Sequence, residues 1–273
     1  MGTLYLVGTP IGNLEDISLR ALRVLREVSL IAAEDTRRAR ILTTHYGISA
    51  PVTSYFEGNK LVKLEAILGA LEEGDVAVIS EAGMPGLSDP GYELVRAAIE
   101  RGYSVTCVPG PSAPITALVL SGLPTDSFVY LGFLPRRRQE RCALLTEVAR
   151  ERRTLIAFEA PHRLCASLAD IEDTLGDRPL VVCRELTKLH EEVWRGTVSE
   201  ARTYFGMSRP RGEITLVIGG APQTGERWDQ AQVQAMMNEL LAQGMSRTAA
   251  ARRVAALSGW SRAEVYSLGL KSS

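Results

Sequence analysis

A chain of 273 residues with 31 Lys and Arg against 32 Asp and Glu carries a formal net charge of −1. No global positive field draws it to nucleic acid, so any such contact must come from local clusters. At 45% hydrophobic and 23% charged residues a chain of this length can bury two cores. No stretch approaches the roughly 18 apolar residues that span a bilayer, and the opening residues lack a basic n-region. Cys107, Cys142, Cys165 and Cys183 are widely separated, and His45, His162 and His190 stand at no metal-ligand spacing. The expectation is a cytoplasmic protein with reduced thiols, no membrane segment and no metal.

Residues 4–7 read as a buried strand. Leu19, Leu22, Leu25 and Val28 then recur at helical spacing behind Asp16 and Ser18, either of which can cap. A strand is expected at 28–33. Leu61, Leu64, Ile67, Leu68 and Leu71 mark a helix ended by Gly74, followed by a strand at 76–80, a helix at 91–101 and a strand at 104–108. Apolar strands separated by amphipathic helices predict a mostly parallel sheet covered on both faces. Residues 1–122 are thus expected as an N-terminal α/β domain.

Turn residues cluster at Ser121-Gly122-Leu123-Pro124, and a second α/β domain is expected over 123–219. Its strands fall at 128–134, 154–158, 180–184, 192–196 and 213–218. The third and fourth have no helix between them, so this sheet should be mixed. Residues 220–228 read as a linker, and 229–273 as a helical tail, with helices at 229–244 and 246–257 and a capping box at Ser261 and Glu264 opening a last one.

Ligands of open α/β sheets bind beyond the carboxyl ends of the strands. Four loops there, at 7–13, 80–91, 108–113 and 131–135, are rich in Gly and Pro. Any one of them makes an ordinary turn; four together suit a site that reads a ligand through main-chain groups. Ser80, Glu81, Ala82, Gly83, Pro109, Gly110, Ser112, Ala113 and Gly132 are the candidate binding positions. Neither G-x-G-x-x-G nor a P-loop is present in the sequence.

The segments T-P-I-G-N-L-x-D-I (9–17), A-E-D-T-R (33–37), A-G-x-P with S-D-P-G (82–91), P-G-P-S-A (109–113), P-H-R-L (161–164), R-E-L-T-K (184–188) and G-E-I (212–214) resemble the ribosomal RNA small subunit methyltransferase I family of the tetrapyrrole-methylase superfamily. The likeness extends over essentially residues 3–218. It implies a two-domain α/β fold of the class III S-adenosylmethionine methyltransferase type with a small C-terminal helical appendage. It implies S-adenosylmethionine bound between the domains, with Glu213 added to the binding set. The activity implied is 2′-O-methylation of a cytidine in the decoding region of 16S ribosomal RNA, by a homodimer. The chain departs from the pattern at Glu81, where the family has Asp, at Met84, where Thr is frequent, and at 55–59, where the family is richer in His.

Methyl transfer from a sulfonium needs acceptor oxygen, methyl carbon and sulfur held in line, with help for a weakly acidic hydroxyl. Glu34, Asp35 and Arg37, Glu159, His162 and Arg163, and Arg184, Glu185 and Lys188 all follow predicted strands. Asp35 or Glu159 is favoured as base and Lys188 as charge stabiliser, while His162 reads equally well as a packing residue. RNA contact is expected from Arg37, Arg38, Arg136, Arg137, Arg138 and Arg163, with Arg150, Arg152 and Arg153 read as a solvated face. Arg247, Arg252, Arg253 and Arg262 make the tail suggestive of a helix-turn-helix. The alternatives are a small-molecule methylase on the same scaffold, or a non-catalytic RNA-binding assembly protein.

Overall fold

The computed structural model describes residues 2–207, 210–222, 228–260 and 262–268. Its first half contains β1 (Thr3–Val7), α1 (Leu19–Glu27), β2 (Leu30–Ala33), α2 (Thr36–His45), β3 (Val52–Ser54), α3 (Lys60–Glu73), β4 (Val76–Ile79), α4 (Tyr92–Glu100) and β5 (Ser104–Val108). The five strands form one sheet in the order β3-β2-β4-β1-β5, and all neighbours run parallel. The four residues of β4, V-A-V-I, are all buried, as a central strand covered on both faces requires. One face packs Leu25, Ile31 and Leu42 beneath α1 and α2; the other packs Ile67, Leu71 and Leu94 beneath α3 and α4. The crossovers leaving β1 and β4 depart in opposite directions, so the loops following these strands open a crevice.

The second half contains α5 (Ala113–Ser121), β6 (Phe128–Phe133), α6 (Arg138–Glu147), β7 (Thr154–Glu159), α7 (Leu164–Leu175), β8 (Pro179–Arg184), β9 (Glu192–Thr197), α8 (Val198–Gly206) and β10 (Ile214–Ile218). The sheet order is β6-β7-β10-β8-β9. Only β6 and β7 pair in parallel; β10 runs against both its neighbours, and β8 against β9. The mixed sheet expected from the helix-free connection is therefore present. Leu145, Leu168, Ile171 and Phe205 fill one face. The other face is covered by α5, whose Ala117 and Leu118 meet Ile156, Val181 and Val217. Ile11, from the loop after β1, joins this same cluster, so the two sheets share apolar packing.

The tail folds as α9 (Gln230–Ala242), α10 (Arg247–Ser258) and α11 (Arg262–Leu268) around Val233, Met237, Val254 and Val265. Asp229 and Gln232 form a reciprocal capping box at the start of α9. Of the expected linker, 223–227 lie outside the described residues; so do Ser261 of the expected capping box and 269–273.

The strand expected from 28 begins at Leu30, because Val28 closes α1 with its N–H on Val24 O. Among the elements the sequence did not signal are α8, β3, with three residues, and α2 and α6, which bury few apolar side chains.

Candidate functional site

The Gly and Pro loops at the ends of β1, β4 and β5 are joined to one another by main-chain bonds. Thr9 N–H donates to Gly83 O at 2.9 Å and Gly83 N–H to Thr9 O at 3.1 Å, while Gly8 N–H donates to Val108 O. A Cβ on Gly8 would stand 2.7 Å from Gly110 Cα. These two glycines therefore let the loops touch each other, and neither Gly110 nor Pro109 lines the cavity beyond. Gly83 does line it, at φ 83°, in the left-handed region where only glycine is unstrained.

The cavity, of about 340 Å³, lies between the two halves of the chain. From the first half, Glu81, Ala82, Gly83, Met84, Leu87 and Asp89 form one side. Ser112 and Ala113 bring the start of α5, which has no side-chain cap; Pro114 has no N–H to give, so the helix start offers a ligand the N–H groups of Ala113 and Ile115. Phe133, Phe158 and Pro161, with Glu159, Glu213 and Thr215, form the opposite side. The Phe133 and Phe158 rings are tilted against each other at 5.2 Å. Of the expected binding positions, Ser80 faces an adjoining smaller space. Gly132 stands one residue before Phe133 at φ 68°, where a Cβ would meet Ser88 Oγ at 3.3 Å.

Asp89 was not singled out by sequence. Burial, followed by the charge of Glu34, pushes its carboxyl up to about 7, against a hydrogen bond from Ser80 and with a further contribution from Glu81. Burial also raises Glu34, which accepts the Glu81 N–H at 3.1 Å. This end of the cavity is acidic and poorly solvated, an environment that favours a cationic ligand.

Lys188 stands where the cavity meets its smaller neighbour, with Nζ 2.8 Å from Glu185 and 3.2 Å from Glu213. Burial opposes its charge, but the two carboxylates outweigh that and raise its pKa. The turn that carries it is strained: Glu185 has φ 52° and Thr187 φ 65°, the latter an outlier for a β-branched residue. Thr187 Oγ1 is buried with no hydrogen-bond partner. Gly212 and Gly12 make the arrangement possible, since a Cβ would fall 2.3 Å from Glu185 Oε1 or 2.5 Å from Lys188 Cγ.

The two expected bases hold structural bonds. Asp35 lines neither cavity; it caps α2 through the N–H groups of Arg37 and Arg38. Its hydrogen bonds from Arg37 hold its carboxyl at about 2. Glu159 reaches the cavity wall, yet its side chain is buried and takes Arg163 at 2.6 Å, the Ala160 N–H at 2.6 Å and the Ser167 hydroxyl.

Among the expected RNA-contacting residues, Arg163 is consumed by Glu159 and by Leu134 O. Arg138 bonds the buried Asp170 at 2.8 Å, alongside the buried Arg141. Arg38 pairs with Glu81 at 2.8 Å and Arg37 with Asp35 at 2.9 Å. Arg136 is exposed, and Arg137, also exposed, stands 3.4 Å from Glu140. Among the described residues no His, Cys, Asp and Glu converge as a metal site.

Residues 3–202 match the family model of tetrapyrrole (corrin/porphyrin) methylases. A Synechocystis relative named ribosomal RNA small subunit methyltransferase I is 45% identical over 99% of this chain and 98% of its own. The chain belongs to the ribosomal RNA small subunit methyltransferase I family. A Thermotoga maritima relative of the same name is 50% identical over 81% of this chain and 99% of its own. Among solved structures, a cobalt precorrin-4 methyltransferase superposes with TM-score 0.61 at 18% identity, over 80% of this chain and 94% of that one. The uroporphyrin-III-C-methyltransferase of Thermus thermophilus gives 0.56 at 22%, with the same coverage. At such identities these two establish the fold, that of class III methyltransferases. In this methyltransferase the residues that sequence missed, Asp89, Phe133, Phe158 and Thr215, are a loop carboxylate and ordinary strand residues whose type carries no signal of a cavity.

Proposed function

We propose that this protein transfers a methyl group from S-adenosylmethionine to the ribose 2′-hydroxyl of a cytidine in the decoding region of small-subunit ribosomal RNA. The supporting observation is the cavity itself, at the carboxyl ends of β1 and β4, in a chain whose near-full-length relatives are named as small-subunit rRNA methyltransferases. At about 340 Å³ it falls within the range of small-molecule sites. Apolar side chains line it, with a few polar groups to orient a ligand. S-adenosylmethionine, when bound, supplies a methyl group made electrophilic by the positive sulfonium.

The chain's own residues then have separable tasks. Met84, Leu87, Phe133 and Phe158 exclude water and grip apolar surface. Asp89 and Glu81 face cationic groups, and the open start of α5 offers N–H donors. Lys188, held by its two carboxylates, stabilises negative charge developing on the acceptor oxygen. Glu159 is the nearer of the two candidate bases. Arg37, Arg136 and Arg137 are the more exposed of the cations available to phosphates.

We further propose that the units at 1–122, 123–219 and 229–273 act as domains, the first two closing on the cofactor with α5 between them, and that the protein works in the cytoplasm as a homodimer. Support for the dimer comes from β5, an edge strand with three exposed residues, and from α5, which leaves Ile115 and Val119 outside. Small subunits from cells lacking this protein, incubated with it and methyl-labelled S-adenosylmethionine, should gain one 2′-O-methyl group on one nucleotide. No label in RNA, with labelling of a tetrapyrrole instead, would overturn the assignment.

A further inference from the structure

Beside the larger cavity lies a second, of about 170 Å³, opening between the loop after β1, the first turns of α2 and the end of β4. Pro10, Leu14, Ile41 and Leu42 give it apolar walls. The two spaces share Ile11, Glu81 and Ala82. Lys188, on the smaller side, reaches Glu213, on the larger, at 3.2 Å. A group bound in one space is therefore next to a group bound in the other, with a lysine ammonium at the seam.

We propose that the smaller cavity seats the base of the target nucleotide, a single pyrimidine turned out of its strand, so that its ribose hydroxyl meets Lys188. This rests on the proposed methyl transfer to RNA. Size favours a single ring: an apolar cavity of about 150 Å³ holds one benzene, and this space, of about 170 Å³ and open at its mouth, matches one six-membered ring more closely than a fused purine. Shape and lining agree, because RNA bases recognised individually are unstacked and gripped by their faces. Charge also agrees. Arg38, half exposed, lines the mouth, and Arg37 and Arg40 stand exposed on the first turns of the same helix, where they can follow the phosphates on either side of an extruded nucleotide.

Ile41→Trp and Leu14→Trp test the assignment, since both positions lie outside the larger cavity and Ile41 is largely solvent-exposed, so its replacement spares the core. The expected result is S-adenosylmethionine affinity within about twofold of wild type by calorimetry, with kcat/KM on unmethylated small subunits down at least about tenfold. A second measurement needs no variant. With the larger cavity saturated by S-adenosylhomocysteine, cytidine monophosphate should broaden its own proton resonances on adding protein, and adenosine monophosphate should not. Equal broadening by both nucleotides would overturn the proposal. Wild-type turnover in both Trp variants would overturn it while leaving methyl transfer to RNA intact. Weakened S-adenosylmethionine binding in the variants would assign the space to the donor instead. A wild-type protein that methylates no RNA would remove the functional reading and this inference together.

Discussion

Replacing Asp89 by Asn probes the electrostatic cost of the acidic end of the larger cavity. Its carboxyl is pushed up from 3.8 to about 7, first by burial and then by Glu34 and Glu81, against the Ser80 hydrogen bond. A raised carboxyl pKa means that the folded protein holds this proton more tightly than the unfolded chain. The stability it contributes is present below the unfolded value, near 3.9, and is lost as pH rises to the folded one. At 1.36 kcal/mol per pH unit the interval is worth about 4 kcal/mol; residual solvent contact brings the expected loss to about 2–4 kcal/mol. In urea titrations Asp89→Asn should therefore gain on wild type by about 1 kcal/mol per pH unit from about pH 5 to 7, then level off. A bound cation reverses the preference, so wild-type affinity for S-adenosylmethionine should rise through about pH 7 and the variant's should not. A stability difference that stays constant from about pH 5 to 8 would refute this reasoning.

Glu159→Ala strands Arg163, whose side chain is mostly buried; it should cost about 3–5 kcal/mol in unfolding free energy, part of which the double variant with Arg163→Ala regains. An inactive Glu159→Ala protein of wild-type stability would instead make Glu159 the base. For RNA binding the informative change is Arg136→Ala with Arg137→Ala, leaving Arg138 on Asp170. The slope of log affinity against log salt should flatten by about 1.4–1.8, the release expected for two phosphate contacts, and an unchanged slope would move the interface to Arg37, Arg38 and Arg40.

The sequence by itself determined the class of both sheets, one parallel and covered on both faces and one mixed, because those signals are local. An apolar V-A-V-I run between amphipathic helices becomes the buried centre of a parallel sheet, and two strands joined without a helix turn back on each other. The Gly and Pro loops likewise pointed to the strand ends where the cavity lies. Elements with weak periodicity were not legible: β3 is three residues long, and α6 begins in a run of arginines and buries only Arg141 and Leu145. Tertiary structure alone decided how each polar residue is used. Gly8 serves Gly110, 102 positions away, instead of a ligand. Arg138 and Arg163 are spent on Asp170 and Glu159, whereas Arg136 remains exposed. Asp89, a surface-type residue by composition, becomes a half-buried carboxyl because the loop after β4 folds it into the cavity wall, where the charges of Glu34 and Glu81 also act on it. Hydrophobic spacing specifies which face of an element is buried, but the partner and the dielectric around a charge depend on which distant segments close over it.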